Sequence, residues 1–133
     1  MKPCVLYFSR TGNTKRMAEA ISESVKAPVF AMTSSELSVV EDFDLLIVGT
    51  PVEGSRPAKE TMDFVKRLPK TEGKKAILFC THAIWKGGTF RILGKELSSK
   101  GYDVILSVSK KMKKDKPADF SESINKIQEA LEK

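Results

Sequence analysis

The chain is poor in histidine, cysteine and long apolar runs. No stretch approaches the ~18 consecutive apolar residues of a membrane span, so no membrane-crossing helix is expected. The first apolar run, Cys4 to Phe8, is short and ends in polar residues, unlike a signal peptide. The expected location is therefore cytoplasmic. A single histidine, His82, and two cysteines, Cys4 and Cys80, among 133 residues form no cluster with metal-ligand spacing, so no metal site is expected. Both cysteines sit in apolar runs and read as buried free thiols rather than a redox pair. Two glycine signatures are also missing. A triphosphate loop needs G-x-x-x-x-G-K-[ST] and a dinucleotide fold needs G-x-G-x-x-G; the first loop offers Gly12 alone.

What is present is a soluble, globular composition, 41% hydrophobic and 30% charged. Its length suits one domain over residues 1–133, large enough to bury a core without staples. The net charge is +6. Its densest basic run is Lys110-Lys111-Met112-Lys113-Lys114-Asp115-Lys116. No aromatic residue interleaves it and no nucleic-acid motif surrounds it. It reads as a solvated loop or a patch for an acidic partner protein, with neither nucleic acid nor membrane as ligand.

Strand and helix patterns alternate along the chain. Apolar runs predict strands over Pro3–Phe8, Pro28–Met32, Asp44–Gly49, Lys75–Thr81 and Tyr102–Ser109. Four-residue periodicity predicts helices over Asn13–Lys26, Ala58–Leu68, Thr89–Lys100 and Asp119–Leu131, with Pro57 suiting the first turn of the second. Thr33–Phe43 holds at most one weak turn of helix. Pro51–Pro57, His82–Gly88 and the lysine run read as loops. Such alternation implies an α/β domain with a doubly wound parallel sheet. Its ligand belongs beyond the carboxyl ends of the strands, which singles out the loops Ser9–Thr14, Thr50–Pro57 and Thr81–Gly88.

In the first of these loops an apolar strand runs into Ser9-Arg10-Thr11-Gly12-Asn13-Thr14 and then into a helix. Bare N–H groups, hydroxyls and a helix N-terminus meet there, which suits a phosphate. The residues alone leave a second reading open, a polar turn capped by Thr11 or Asn13 with nothing bound. Cys4 to Arg10 also spells C-x5-R, the spacing of cysteine phosphatases. Here the five residues between are a buried strand, so the cysteine lies at the wrong end, and an apolar site raises a thiol pKa.

Ser9-x-Thr11-Gly12-Asn13-Thr14 after a first strand resembles the FMN-phosphate loop of the flavodoxin family. Val48-Gly49-Thr50-Pro51-Val52-Glu53-Gly54-Ser55-Arg56-Pro57 is similar to the loop after the third strand in its short-chain members. Thr81-His82-Ala83-Ile84-Trp85-Lys86-Gly87-Gly88 falls where that family places its second flavin-contacting loop.

The resemblance covers the whole chain and implies a flavodoxin-like sheet of five parallel strands in the order 2-1-3-4-5, with helices on both faces. It implies FMN as cofactor and electron transfer between redox partner proteins as function. Ser9, Arg10, Thr11, Gly12, Asn13 and Thr14 would hold the phosphate. Thr50, Pro51, Val52, Glu53 and Gly54 would wrap one edge and face of the isoalloxazine, with Gly54 or its neighbour allowing a backbone flip toward N5. Thr81, His82, Ala83 and Trp85 would cover the pyrimidine side. Trp85 either stacks on the flavin or stands as an exposed loop aromatic, and His82 either lines the flavin or caps its loop. Arg56 rims the site or pairs with an acid.

Two departures from the family pattern carry consequences. Val52 stands where flavodoxins often carry Trp or Met and covers less of a ring. The chain is basic where flavodoxins are usually acidic. A less negative potential for the second electron and partners with acidic surfaces are therefore expected. The protein would be a monomer or weak dimer. Two other functions remain at this stage: an FMN-dependent NAD(P)H reductase on the same fold, and a flavin-free module that binds a partner through its lysines. Glu53 and His82 are the candidate acid–base residues near these loops, and neither has an evident partner in sequence.

Overall fold

A computed structural model describes residues 1–132. Six strands and four helices follow in chain order: β1 (Pro3–Tyr7), α1 (Asn13–Val25), β2 (Val29–Ala31), β3 (Leu45–Glu53), β4 (Arg56–Pro57), α2 (Lys59–Lys66), β5 (Lys74–His82), α3 (Thr89–Ser99), β6 (Tyr102–Lys111) and α4 (Ser121–Leu131). Five of the strands form a parallel sheet in the order β2-β1-β3-β5-β6. Leaving out the short β4, this is the order 2-1-3-4-5.

The sheet forms because its central strands are apolar on both faces, so each face needs a cover of helices. Alternate residues of each strand point to opposite sides. On one side Leu6, Leu46 and Leu78 pack with Phe64 and Val65 of α2 and Leu93 and Leu97 of α3. On the other, Val5, Ile47, Ile77 and Phe79 pack with Met17 and Ile21 of α1 and Ile127 of α4. Each fully buried Leu or Ile contributes about 2 kcal/mol. β5 and β6 change register between Ala76 and Ile77, which leaves Ile105 without a pairing partner.

Three loop expectations are corrected. Pro51–Pro57 is a hairpin: β3 runs on through Glu53, turns at Gly54-Ser55 and returns as β4, pairing Val52 with Pro57 and Glu53 with Arg56. Both turn residues have positive φ, 59° and 63°, as a two-residue hairpin turn requires. The two prolines and the glycine hid this strand pair in the sequence. Pro57 consequently lies in β4, with Ala58 as the cap of α2. His82 closes β5, and Lys110 and Lys111 belong to β6, paired with Thr81 and His82. Thr33–Phe43 forms two 3₁₀ turns, Met32–Ser34 and Leu37–Asp42.

Candidate functional site

The chain leaves β1 toward β2 on one side and reaches β3 on the other, so the winding reverses between β1 and β3. A cleft of about 700 Å³ opens there, at the carboxyl edge of the sheet. Arg10, Thr11 and Asn13 line it from the first loop and Arg16 from the start of α1; Pro51, Val52 and Glu53 line it from β3, Thr81 and His82 from β5, and Ala83 from just beyond. A larger groove, about 820 Å³, runs between α2 and α3 and shares only Glu53 with this cleft.

Five further expected residues stand behind this lining. Ser9 Oγ accepts the N–H groups of Gly12 at 3.1 Å and Lys15 at 3.2 Å, shaping the loop from within. Gly12 caps α1 with φ 101°. Asn13 and Thr14 open the helix, so their N–H groups have no intrahelical partner. The buried Thr14 hydroxyl lies 2.9 Å from that of Thr81, joining the first loop to β5. Thr50 Oγ1 accepts Ala58 N–H at 3.1 Å and the Thr61 hydroxyl at 2.9 Å, fixing the hairpin to α2. Gly54 sits at the exposed hairpin turn.

Trp85, which the sequence left open between stacking on the flavin and standing as an exposed loop aromatic, is 62% exposed and lies outside the cleft lining. Conversely, Met112, Lys113, Lys114, Lys116, Pro117 and Ala118 border the cleft, which the sequence reading missed. Their signal was positional: they follow β6, whose carboxyl end shares the edge with β5.

The charges are arranged unevenly. Arg10 donates to Glu53 at 2.5 and 2.9 Å and to Glu60 at 2.9 Å. These bonds hold Glu60 below the usual carboxylate pKa and raise that of Arg10. Its charge is thus matched by carboxylates. Arg16 instead bonds the neutral Asn13 side chain and has no carboxylate partner among the described residues. With Lys113, Lys114 and Lys116 it makes the cleft electropositive. Desolvation, followed by the charges of Lys111 and Lys86, pushes the His82 pKa down. Its Nδ1 is buried without a partner in the protein. Burial pushes both thiols up to about 12, with Lys74 and Lys86 opposing weakly at Cys4 and Cys80 respectively. A thiolate nucleophile is therefore disfavoured, and Cys4 lies on β1 well before Arg10.

The arrangement combines an anion-accepting end with a short apolar wall of Pro51, Val52 and Ala83. Residues 4–115 match the model of the flavodoxin domain. The chain belongs to the flavodoxin family. A flavodoxin of Megasphaera elsdenii is 32% identical over 92 residues, covering 63% of this chain and 66% of that protein. The solution structure of two-electron reduced Megasphaera elsdenii flavodoxin superposes with a TM-score of 0.74 at 26% identity, covering 87% of this chain and 91% of that one. The crystal structure of an oxidised flavodoxin of Bacillus cereus gives 0.76 at 24% identity, covering 99% and 98%. The flavodoxin-like sheet order is thus shared along with the fold. Among the described residues no helix is long and apolar enough to cross a membrane, and no group of three His, Cys, Asp or Glu could hold a metal ion.

Proposed function

We propose that the chain binds FMN in the cleft and carries electrons between redox partner proteins. One observation carries this reading most: the phosphate-type loop, the β3–β4 hairpin and the end of β5 converge on a single cleft at the point of reversed winding.

The donor set suits such a group. A phosphate at the first loop would meet the free N–H groups of Asn13 and Thr14, the Thr11 hydroxyl and the Arg16 guanidinium. The buried, unpartnered Nδ1 of His82 marks a polar position beside an otherwise apolar wall. Pro51, Val52, His82 and Ala83 would flank the ring system, while Ser9, Gly12, Thr14, Thr50 and Gly54 hold the surrounding backbone. Bound FMN would supply the redox chemistry, taking up and releasing electrons. The protein would orient it, shield it and set its electrostatic surroundings.

The test is the visible absorption of the purified chain before and after FMN is added. Flavin bands that survive desalting, with FMN released by acid, support the reading. A colourless protein that leaves FMN fluorescence unquenched would sink it in favour of a flavin-free binding module.

A further inference from the structure

Ile84 and Trp85 are 82% and 62% exposed, and Met1 is the other exposed large hydrophobic among the described residues. The pair follows Ala83 of the cleft lining, at the carboxyl edge of the sheet. Their loop is clamped. Gly88 N–H donates to Ser55 O at 2.9 Å, and Gly87, at φ 58°, lies so close that an added Cβ would come within 2.5 Å of Ser55. A fixed loop that holds adjacent Ile and Trp side chains in water has the character of a contact tip.

Four cations, unpaired among the described residues, lie near this tip. Asp119 and Glu122 line a groove with Lys86 and Lys111, and Glu53, Asp63 and Glu96 line one with Arg56 and Arg91, without pairing with them. Lys86 follows Trp85 directly. Arg91 reaches back over the loop, its guanidinium 3.0 Å from where a Cβ on Gly88 would stand. Arg56 lies beside the clamped turn and Lys111 pairs with His82 at the end of β6. None of these four cations has a carboxylate partner among the described residues.

We propose that Ile84 and Trp85, ringed by Arg56, Lys86, Arg91 and Lys111, form the docking face for an acidic protein that exchanges electrons through the adjacent cleft. This rests on the electron-carrier reading, because the transfer contact must lie close to the cofactor. The matching partner surface is an apolar spot bordered by carboxylates. A small apolar centre with a charged rim is the make-up of weak, short-lived redox encounters, under about 1,200 Å² in size. Nucleic acid fits less well, since among the described residues Trp85 is the one exposed large aromatic, with none beside it to continue a stack of bases.

The experiment is an amide chemical-shift titration of the FMN-loaded full chain with an acidic [2Fe–2S] ferredoxin as probe. Shifts should concentrate at 84–88, 55–56 and 91, and affinity should fall about tenfold between about 20 and 200 mM salt. Ile84→Ser and Arg91→Glu should each weaken binding about tenfold, read alongside far-UV circular dichroism to confirm folding. Lys70→Glu makes the same charge change at the opposite end of the sheet and should leave affinity unchanged. The proposal is overturned by no binding, by shifts centred elsewhere, by equal weakening in Lys70→Glu, or by tighter binding of duplex DNA or a basic cytochrome to this face. The two readings separate cleanly. Loss of FMN on desalting sinks the carrier reading, and the same shift pattern in the FMN-free chain then keeps the contact face without electron exchange; retained FMN with no pattern does the reverse.

Discussion

Arg10 and Glu53 join two of the segments that line the cleft: Nε donates to Oε2 at 2.5 Å and Nη2 to Oε1 at 2.9 Å. The same Nη2 reaches Glu60 at 2.9 Å, and the guanidinium lies 5.0 Å from the centre of the Phe8 ring. The guanidinium therefore matches the charge of the acid at the cleft wall.

Arg10→Ala leaves Glu53 at the cleft wall and the neighbouring Glu60 unmatched. FMN affinity should fall about three- to tenfold at low salt, by ordinary charge repulsion. Arg10→Ala with Glu53→Gln should recover most of it. Flavin fluorescence quenching reads both, and an unchanged affinity in the single variant contradicts the assignment. Because Arg10 holds the Glu60 carboxyl below its usual range, their contact should persist at neutral pH. It should be lost only as pH falls through that lowered value.

Arg16 lines the cleft beside the first loop and has no carboxylate partner among the described residues. Arg16→Ala should weaken FMN about tenfold, the scale of one charge-assisted contact, and leave riboflavin binding unchanged. Equal weakening of both ligands would show that Arg16 shapes the loop rather than meeting the phosphate.

His82 is the sole histidine, so its ring proton gives a single assignable signal. Desolvation, then Lys111 and Lys86, lowers its pKa, so in the FMN-free chain the signal should titrate below about 6.5. The sign for stability follows. The folded protein takes the proton less readily than the unfolded chain, so the stability of the neutral form is complete above about 6.5 and is lost as pH falls below it. His82→Gln should flatten that dependence in thermal melts. A midpoint above about 6.5 would contradict the geometry.

The surroundings of the cleft should also appear in the redox potential. Arg16, Lys113, Lys114 and Lys116 border it, and its one carboxylate, Glu53, is paired with Arg10. Adding the second electron places more negative charge beside cations, so that potential should be less negative than in acidic flavodoxins. Spectroelectrochemistry measures it, and a value as low as theirs would refute the electrostatic argument.

The sheet was legible because β1, β3 and β5 hold the apolar runs Cys4–Tyr7, Leu45–Val48 and Ala76–Cys80, and α1 repeats Met17, Ile21 and Val25 every four residues. The first loop was legible because its hydroxyls and Gly12 fall just where a strand becomes a helix. The β3–β4 hairpin was not, since Pro51, Gly54 and Pro57 carry loop statistics while their pairing depends on a turn geometry that single residues do not announce. Lys110 and Lys111 were hidden by their own charge: edge strand β6 accepts them because Lys110 is half-buried and Lys111 exposed. Trp85 stayed open between site and surface because residue type does not set a loop's direction; the approach of Gly87 and Gly88 to Ser55, which ties that loop to the hairpin, depends on backbone geometry.

The most direct test of the central claim is titration of the purified full chain with FMN, followed by flavin fluorescence and visible absorption and repeated with riboflavin. The account predicts a one-to-one complex that quenches the flavin, keeps its colour through desalting and prefers FMN over riboflavin. Unquenched fluorescence at micromolar FMN, or equal affinity for riboflavin, would contradict a phosphate-anchored flavin in this cleft.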